Sequence, residues 1–192
     1  MASELRLCGI YPTEIGPDPL ESRSVTDLES LELDPDVHCV VVGLDYEFSF
    51  VKAAKATMYL QQKSCLFVAT NNDANLPTAS GRVIPCAGSI VAMVQAGSQR
   101  RPDVVCGKPN QAMYDVIASK QKIDRRRTLM IGDRLNTDIL FAGRAGFQSV
   151  FVLSGVSTMD DVHCKEMSVV EEDRRSVPNY FAASLGELGK LI

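Results

Sequence analysis

Short apolar runs rich in β-branched residues alternate along this chain with segments that have helical spacing. Runs of this length and composition predict buried strands, and the intervening segments predict helices. Because parallel strands need long crossover connections, the alternation predicts an α/β fold built on a parallel sheet. We predict strands at residues 37–44, 65–69, 103–106, 128–131 and 149–153, and helices at residues 48–62, 88–96, 110–122, 138–145 and 184–191.

Residues 71–77, rich in Asn and ending in Pro, are interpreted as a turn, and the charged stretch at 156–183 as a loop. Lys108, Asp133 and Gly155 each lie just beyond a predicted strand. Ligands of parallel sheets bind beyond the carboxyl ends of the strands. These three positions therefore predict one ligand site.

Asp133 and Asp138 are the strongest candidates for a metal site. Asp133 ends a predicted strand, and Asp138 lies in the first turn of the next helix, behind Asn136 or Thr137 as its N-cap. Two carboxylates with room for water suit Mg²⁺. The alternative is a helix cap beside an ordinary turn acid, and the nearby Lys108 favours the metal site.

Lys108 stands between Gly107 and Pro109, where a predicted strand turns into a helix. A lysine there can act as a point charge on a phosphate oxygen. Taken alone, the tripeptide is weak evidence and favours an ordinary exposed lysine.

Charge and hydropathy exclude several classes of partner. The net charge of −4 and the lack of a basic stripe predict no nucleic-acid partner. The basic cluster at 125–127 is interpreted as a solvated turn rather than an anion site. No apolar run is long enough to cross a membrane and no signal-peptide pattern is found, so a cytoplasmic protein without a membrane partner is expected.

The six cysteines are scattered, and no Cys-x-x-Cys pair occurs. With only two histidines in the chain, a zinc site is not expected. Several cysteines lie in apolar runs, so we expect reduced and mostly buried thiols, as in a cytosolic protein.

Two motifs carry a family resemblance. Gly107-Lys-Pro109 and Gly132-Asp-Arg-x-x-Thr-Asp-Ile139 resemble the third and fourth motifs of the haloacid dehalogenase superfamily. Nearly the whole chain resembles the group of phosphoglycolate phosphatase, pyridoxal phosphate phosphatase (chronophin) and 4-nitrophenylphosphatase. The segments that carry this narrower resemblance are residues 42–50, 59–62, 70–77 and 153–157.

The resemblance implies a Mg²⁺-dependent phosphatase that hydrolyses small phosphomonoesters, such as 2-phosphoglycolate or pyridoxal 5′-phosphate, through an aspartyl-phosphate. In that family a lysine steadies the phosphate and the nucleophile, and this role falls on Lys108. Asp133 matches the direct metal ligand, and Asp138 matches the acid that supports the metal's water shell.

The resemblance also implies two domains. Residues 1–102 match an α/β cap without its first strand, and residues 103–192 match the C-terminal half of a Rossmann-like catalytic core. Cap residues at two loops become candidates for substrate binding, with ordinary turn chemistry as the alternative. These candidates are Asp45, Asn71, Asn72 and Asp73. Pairing of two copies through the cap is a further expectation.

The family's nucleophile lies in an Asp-x-Asp-Gly sequence, and these 192 residues contain none. We therefore expect that the chain lacks the N-terminal part of the core and is inactive alone. The second hypothesis is a truncated, non-catalytic variant that binds metal or phosphate, or a full-length partner through the cap. A compact enzyme with Asp45 as nucleophile is less favoured, because Glu47 replaces the second acid and Phe48 the glycine.

Overall fold

The computed structural model describes residues 1–13, 24–78 and 80–190. Its contacts divide the chain into two compact units, Met1–Val105 and Cys106–Ile192. The predicted domain boundary, after residue 102, lies before a short strand that stays with the first unit. The last residue of the helix predicted at 184–191 falls outside the described residues.

The first unit is an α/β unit whose main sheet is parallel. Strand β2 lies between β1 and β5, and both pairs run parallel. A separate two-stranded sheet joins β3 and β4. The elements are α1 (Ala2–Leu7), α2 (Val25–Glu29), β1 (Cys39–Val42), α3 (Phe50–Leu60), β2 (Leu66–Ala69), β3 (Asn75–Pro77), β4 (Val83–Pro85), α4 (Ala87–Ser98) and β5 (Val104–Val105).

Helix α3 begins where its sequence supplies a cap. Ser49 Oγ accepts the backbone N–H of Lys52 at 3.2 Å, which satisfies one of the free donors of the first turn. The core of the unit forms where α3 and α4 meet β1 and β2. Its buried residues are Val40, Val42, Leu60, Cys65, Phe67, Ala69, Val91 and Val94.

The turn predicted at residues 71–77 is wrong in its second half. Asn75–Pro77 is strand β3, and it pairs antiparallel with β4. The backbone N–H of Thr78 donates to Arg82 O at 2.9 Å and closes the connection between them. Proline suggested a turn because it cannot donate to a ladder, but a strand with only one neighbour tolerates it.

The second unit contains another parallel sheet, with β7 between β6 and β8. A 3-10 turn, Arg125–Arg127, precedes β6, and a π-helical turn, Leu135–Ile139, follows it. The other elements are α5 (Gln111–Lys120), β6 (Leu129–Gly132), α6 (Leu140–Ala145), β7 (Gln148–Val152), α7 (Met159–Glu166), α8 (Glu171–Arg174), β8 (Tyr180–Ala182) and α9 (Leu185–Leu188). The predicted α/β fold with parallel sheets is confirmed.

The charged loop predicted at residues 156–183 is also wrong, because it contains α7, α8 and β8. A capping box starts α7, since Thr158 N–H donates to Asp161 Oδ2 at 2.8 Å and Asp161 N–H to Thr158 Oγ1 at 3.3 Å. The hydrogen bonds from Thr158 hold the pKa of Asp161 below its usual value. Only Val162 of α7 is buried, so the helix has almost no hydrophobic periodicity to detect.

The basic cluster before β6 forms a turn capped by Asp124, whose Oδ1 accepts the Arg126 N–H at 3.0 Å. The guanidinium of Arg125 lies 5.0 Å from the centroid of the Tyr114 ring. Its Nε also donates to the Tyr114 hydroxyl at 3.1 Å. Arg125 therefore packs against α5.

All six cysteines are free thiols, but the expectation that most are buried is wrong. Cys65 is buried, and burial raises the pKa of its thiol. Cys8, Cys106 and Cys164 are exposed. Cys8 follows α1, which has no buried residue, and Cys164 lies in α7, where only Val162 is buried. Among the described residues, no helix combines the length and hydropathy that a membrane crossing requires.

Candidate active site

Lys108 and Asp138 form an ion pair in the second unit. Lys108 Nζ lies 2.6 Å from Asp138 Oδ1. Lys108 lies just after Gly107 and precedes Pro109 through a cis peptide bond. The carbonyl of Gly107 accepts the side-chain amide of Asn110 at 2.9 Å, which holds this turn at the start of α5.

The buried member of the pair is Asp138, which is only 5% exposed. Its second oxygen, Oδ2, accepts the backbone N–H of Arg134 at 3.2 Å. Both carboxylate oxygens are therefore held, one by a cation and one by the backbone. A buried carboxylate needs such partners, because removing it from water without them is costly.

The prediction that Asn136 or Thr137 is the N-cap of the helix containing Asp138 is wrong. Asn136 and Thr137 lie inside the π-helical turn, and no side chain caps the turn at Arg134. Instead the Asp138 carboxylate reaches back to the Arg134 N–H. The α-helix itself starts only at Leu140. The wider turn therefore places Asp138 inward, where Lys108 meets it.

Gly132, the last residue of β6, makes room for Asp138. A Cβ at this position would overlap Cβ and Cγ of Asp138. The glycine is therefore required by the close approach of a side chain. Gly132 therefore accommodates Asp138, and the residue directly after Gly132 is Asp133, the other acid of the predicted metal site.

Asp133 is half-buried and is held by the loop that follows β7. Its Oδ2 accepts the backbone N–H of Val156 at 2.9 Å, and its carbonyl accepts the N–H of Ser157 at 3.0 Å. A Cβ at Gly155 would overlap the Asp133 side chain. Within residues 1–13, 24–78 and 80–190, no donor occupies Asp133 Oδ1. That oxygen remains available to a ligand.

The donor set at Asp133 fits a hard cation that keeps water ligands. Mg²⁺ takes one or two carboxylates and completes its octahedron with water and substrate oxygens. Asp133 Oδ1 offers one such ligand, and the Asp138 carboxylate is already engaged by Lys108 and Arg134. The described part of the chain contains no cluster of three His, Cys, Asp or Glu residues that could hold a metal by itself.

The residues predicted to bind substrate from the cap domain lie in the first unit. Asp45 Oδ2 is 2.6 Å from Lys52 Nζ, and its Oδ1 accepts the Glu47 N–H at 2.9 Å. Burial alone would raise the pKa of Asp45, but the hydrogen bonds from Lys52 and Glu47, together with the charge of Lys52, lower it overall. Asp45 therefore supports its own turn and the start of α3.

The other cap candidates follow β2, at the same sheet edge as the residues after β1. Thr70 N–H donates to Val42 O at 2.9 Å, which continues the pairing of β1 with β2. Asn71 Oδ1 accepts the Asp73 N–H at 3.0 Å and closes a local turn. Asn72 is exposed. The structure brings these residues to one edge, and their substrate-binding role stays a prediction.

Sequence reasoning missed the contribution of Val156 and Ser157 to the site. The sequence pattern places Gly155 just beyond a predicted strand and gives the two residues after it no role. The signal was present, because residues 153–157 belong to the segments that resemble the phosphatase group. The resemblance alone, however, assigned them no role.

Comparison with known proteins gives family matches over most of the chain. A family profile described as haloacid dehalogenase-like hydrolase matches residues 14–146. A HAD-hydrolase-like profile matches residues 105–188. The two matches together include Lys108, Asp133 and Asp138.

Individual relatives are phosphatases by name. Human glycerol-3-phosphate phosphatase is 39% identical over 188 residues, which cover 98% of this chain and 58% of the relative. Human chronophin is 40% identical over 154 residues, covering 80% of this chain and 51% of the relative. The chain thus spans little more than half the length of these relatives.

A solved structure of similar fold holds a metal. It is glycerol phosphate phosphatase from Mycobacterium tuberculosis in complex with magnesium, with 34% identity and a TM-score of 0.65. The match covers 79% of this chain and 43% of that one.

Proposed function

Because this chain belongs to the haloacid dehalogenase-like hydrolase family, we propose that it carries the lysine and acid side of a Mg²⁺-dependent phosphatase site. The observation that carries the proposal is the ion pair of Lys108 and Asp138, in which Nζ lies 2.6 Å from Oδ1. Asp133 lies nearby in the sequence, directly after the end of β6. The residues after parallel strands are where such folds bind ligands.

Each residue has a distinct part in this proposal. Lys108 supplies a positive charge to the phosphate, and Asp138 fixes the direction of its ammonium group. Asp133 is the protein ligand for Mg²⁺, and Asp138 supports the water shell of the ion. When bound, Mg²⁺ neutralises charge on the phosphoryl oxygens and so assists their displacement.

The proposed substrates are small phosphomonoesters. Glycerol 3-phosphate is suggested by the name of the relatives, and 2-phosphoglycolate and pyridoxal 5′-phosphate by the resemblance of the whole chain. In this proposal the first unit is a cap whose loops at Asp45 and at residues 71–73 contact the organic part of the substrate. Two copies pair through that cap in the cytoplasm, where free thiols are stable.

A second candidate function is non-catalytic binding of phosphate and metal. It is favoured by one specific observation, the lack of an Asp-x-Asp-Gly sequence in these 192 residues. Lys108 and Asp133 would still attract a phosphate and a cation, and the cap would serve to bind a full-length partner. Binding without turnover distinguishes this function from catalysis.

The proposed metal site predicts that Mg²⁺ binding depends on Asp133. Isothermal titration calorimetry of residues 1–192 with MgCl₂ should give a saturable signal. We expect Asp133→Asn to weaken binding at least tenfold, since it removes the charged ligand. Asp160→Asn is the matched control, because it removes one exposed carboxylate from the same unit without touching the site. Equal binding by the wild type and Asp133→Asn would contradict the proposed function.

A further inference from the structure

We propose that residues 155–157 are a positioning element that fixes the Asp133 carboxylate for its cation, with Ser157 as the side chain on which it depends. This inference rests on the proposed function. The inference goes beyond the proposed function because it gives a role to the loop after β7, which supplies no metal ligand of its own. Its effect on the ion passes entirely through Asp133.

Three hydrogen bonds hold this loop, two to Asp133 and one to Leu135. Val156 N–H donates to Asp133 Oδ2 at 2.9 Å, and Ser157 N–H donates to Asp133 O at 3.0 Å. The third bond runs in the opposite direction, because Ser157 Oγ accepts the Leu135 N–H at 3.3 Å. The loop therefore holds the side chain of Asp133, its carbonyl and the start of the π-helical turn.

Both ends of this arrangement are anchored in the core. Leu135 is 2% exposed and packs in one buried cluster with Ile139, Phe151 and Val162. Phe151 belongs to β7 and Val162 to α7, the two elements that the loop connects. The hydrogen bonds thus join two segments whose neighbouring side chains pack in the same buried cluster.

The loop also selects which oxygen of Asp133 is offered. A carboxylate that rotates freely can present either oxygen, and this freedom lowers its affinity for a metal ion. Here Oδ2 is occupied by Val156 N–H, and the lack of a side chain at Gly155 lets the backbone approach the carboxylate closely. Oδ1 is left for the ion. Groups that orient a metal ligand in this way typically change metal affinity by about 10- to 100-fold when removed.

Ser157 is the member of the loop that mutagenesis can isolate. Ser157→Ala deletes the acceptor of the buried Leu135 N–H, whereas Ser157→Thr keeps a hydroxyl in the same place. Thr158→Ala is the matched control. It removes the next hydroxyl along the chain, which caps α7 and has no contact with Asp133 among the described residues.

Two measurements on the full chain test the inference, amide hydrogen exchange without metal and calorimetric titration with Mg²⁺ alone. Ser157→Ala should speed exchange at Leu135 and raise the Mg²⁺ dissociation constant roughly tenfold. Ser157→Thr should restore both values. Thr158→Ala should lower the thermal midpoint of unfolding but leave Mg²⁺ binding unchanged.

Unchanged Mg²⁺ binding in Ser157→Ala would overturn the inference while leaving the metal site of the proposed function intact. Equal weakening by Ser157→Ala and Thr158→Ala would overturn it too, since general destabilisation would then explain the loss. A wild-type chain that binds no Mg²⁺ would overturn the proposed metal site and the positioning role together. Faster Leu135 exchange in that case would mark the loop as purely structural.

Discussion

Lys108→Met is expected to lower the free energy of unfolding of the second unit by about 2 kcal/mol, and Asp138→Asn by much less. Loss of the lysine leaves a carboxylate that is 5% exposed with the Arg134 N–H as its remaining partner in the described chain. Removing one partner from a buried pair costs more than removing both charges. The expected loss of stability is smaller than for a fully buried pair, because the Lys108 side chain is 38% exposed and partly screened by solvent.

The double variant Lys108→Met/Asp138→Asn provides the control for this prediction. It removes both charges and should recover most of the stability that Lys108→Met loses, because no buried charge remains. Urea unfolding followed by circular dichroism measures all four proteins of this double-mutant cycle. Additive effects of the two single substitutions would contradict the ion pair as described.

Residues 1–192 alone are expected to hydrolyse 4-nitrophenyl phosphate no faster than buffer containing Mg²⁺. Removal of a covalent nucleophile can lower kcat by about a millionfold, and no Asp-x-Asp-Gly sequence supplies one here. Release of 4-nitrophenolate, followed by absorbance, measures the rate.

Asp45→Asn is the informative variant in that assay. In the structure the two oxygens of Asp45 are engaged by Lys52 and by the Glu47 N–H, which suits a turn rather than a nucleophile. Mg²⁺-dependent hydrolysis by the wild type that disappears in Asp45→Asn would contradict the prediction. It would establish the compact enzyme in which Asp45 attacks the phosphate.

The strands and the larger helices could be predicted because their signals are local. Runs such as residues 65–69 and 149–153 are mostly apolar, and each overlaps a strand of a parallel sheet. The hairpin of β3 and β4 could not be predicted this way, because its prolines and asparagines are typical turn residues. Helix α7 was missed because it is held by a capping box and ion pairs rather than by an apolar face.

The candidate site was predictable in its residues but not in its geometry. The sequence indicates Lys108 by its position after a strand and Asp138 by its position in the first turn of a helix, and the structure pairs them. Their hydrogen bonds depend on backbone groups that no side-chain pattern reveals. The Arg134 N–H that replaces the predicted cap and the Val156 N–H that holds Asp133 are examples. The need for glycine at positions 132 and 155 likewise follows only from the approach of the two acids.

We propose that Lys108 and Asp133 together form a Mg²⁺-assisted phosphate site. Calorimetric titration of residues 1–192 with inorganic phosphate, with and without saturating MgCl₂, measures phosphate binding and its dependence on the metal. We expect phosphate binding that is strengthened by Mg²⁺ in the wild type, is independent of Mg²⁺ in Asp133→Asn, and is lost in Lys108→Met. Phosphate binding that is the same in all three proteins, with or without Mg²⁺, would contradict the claim.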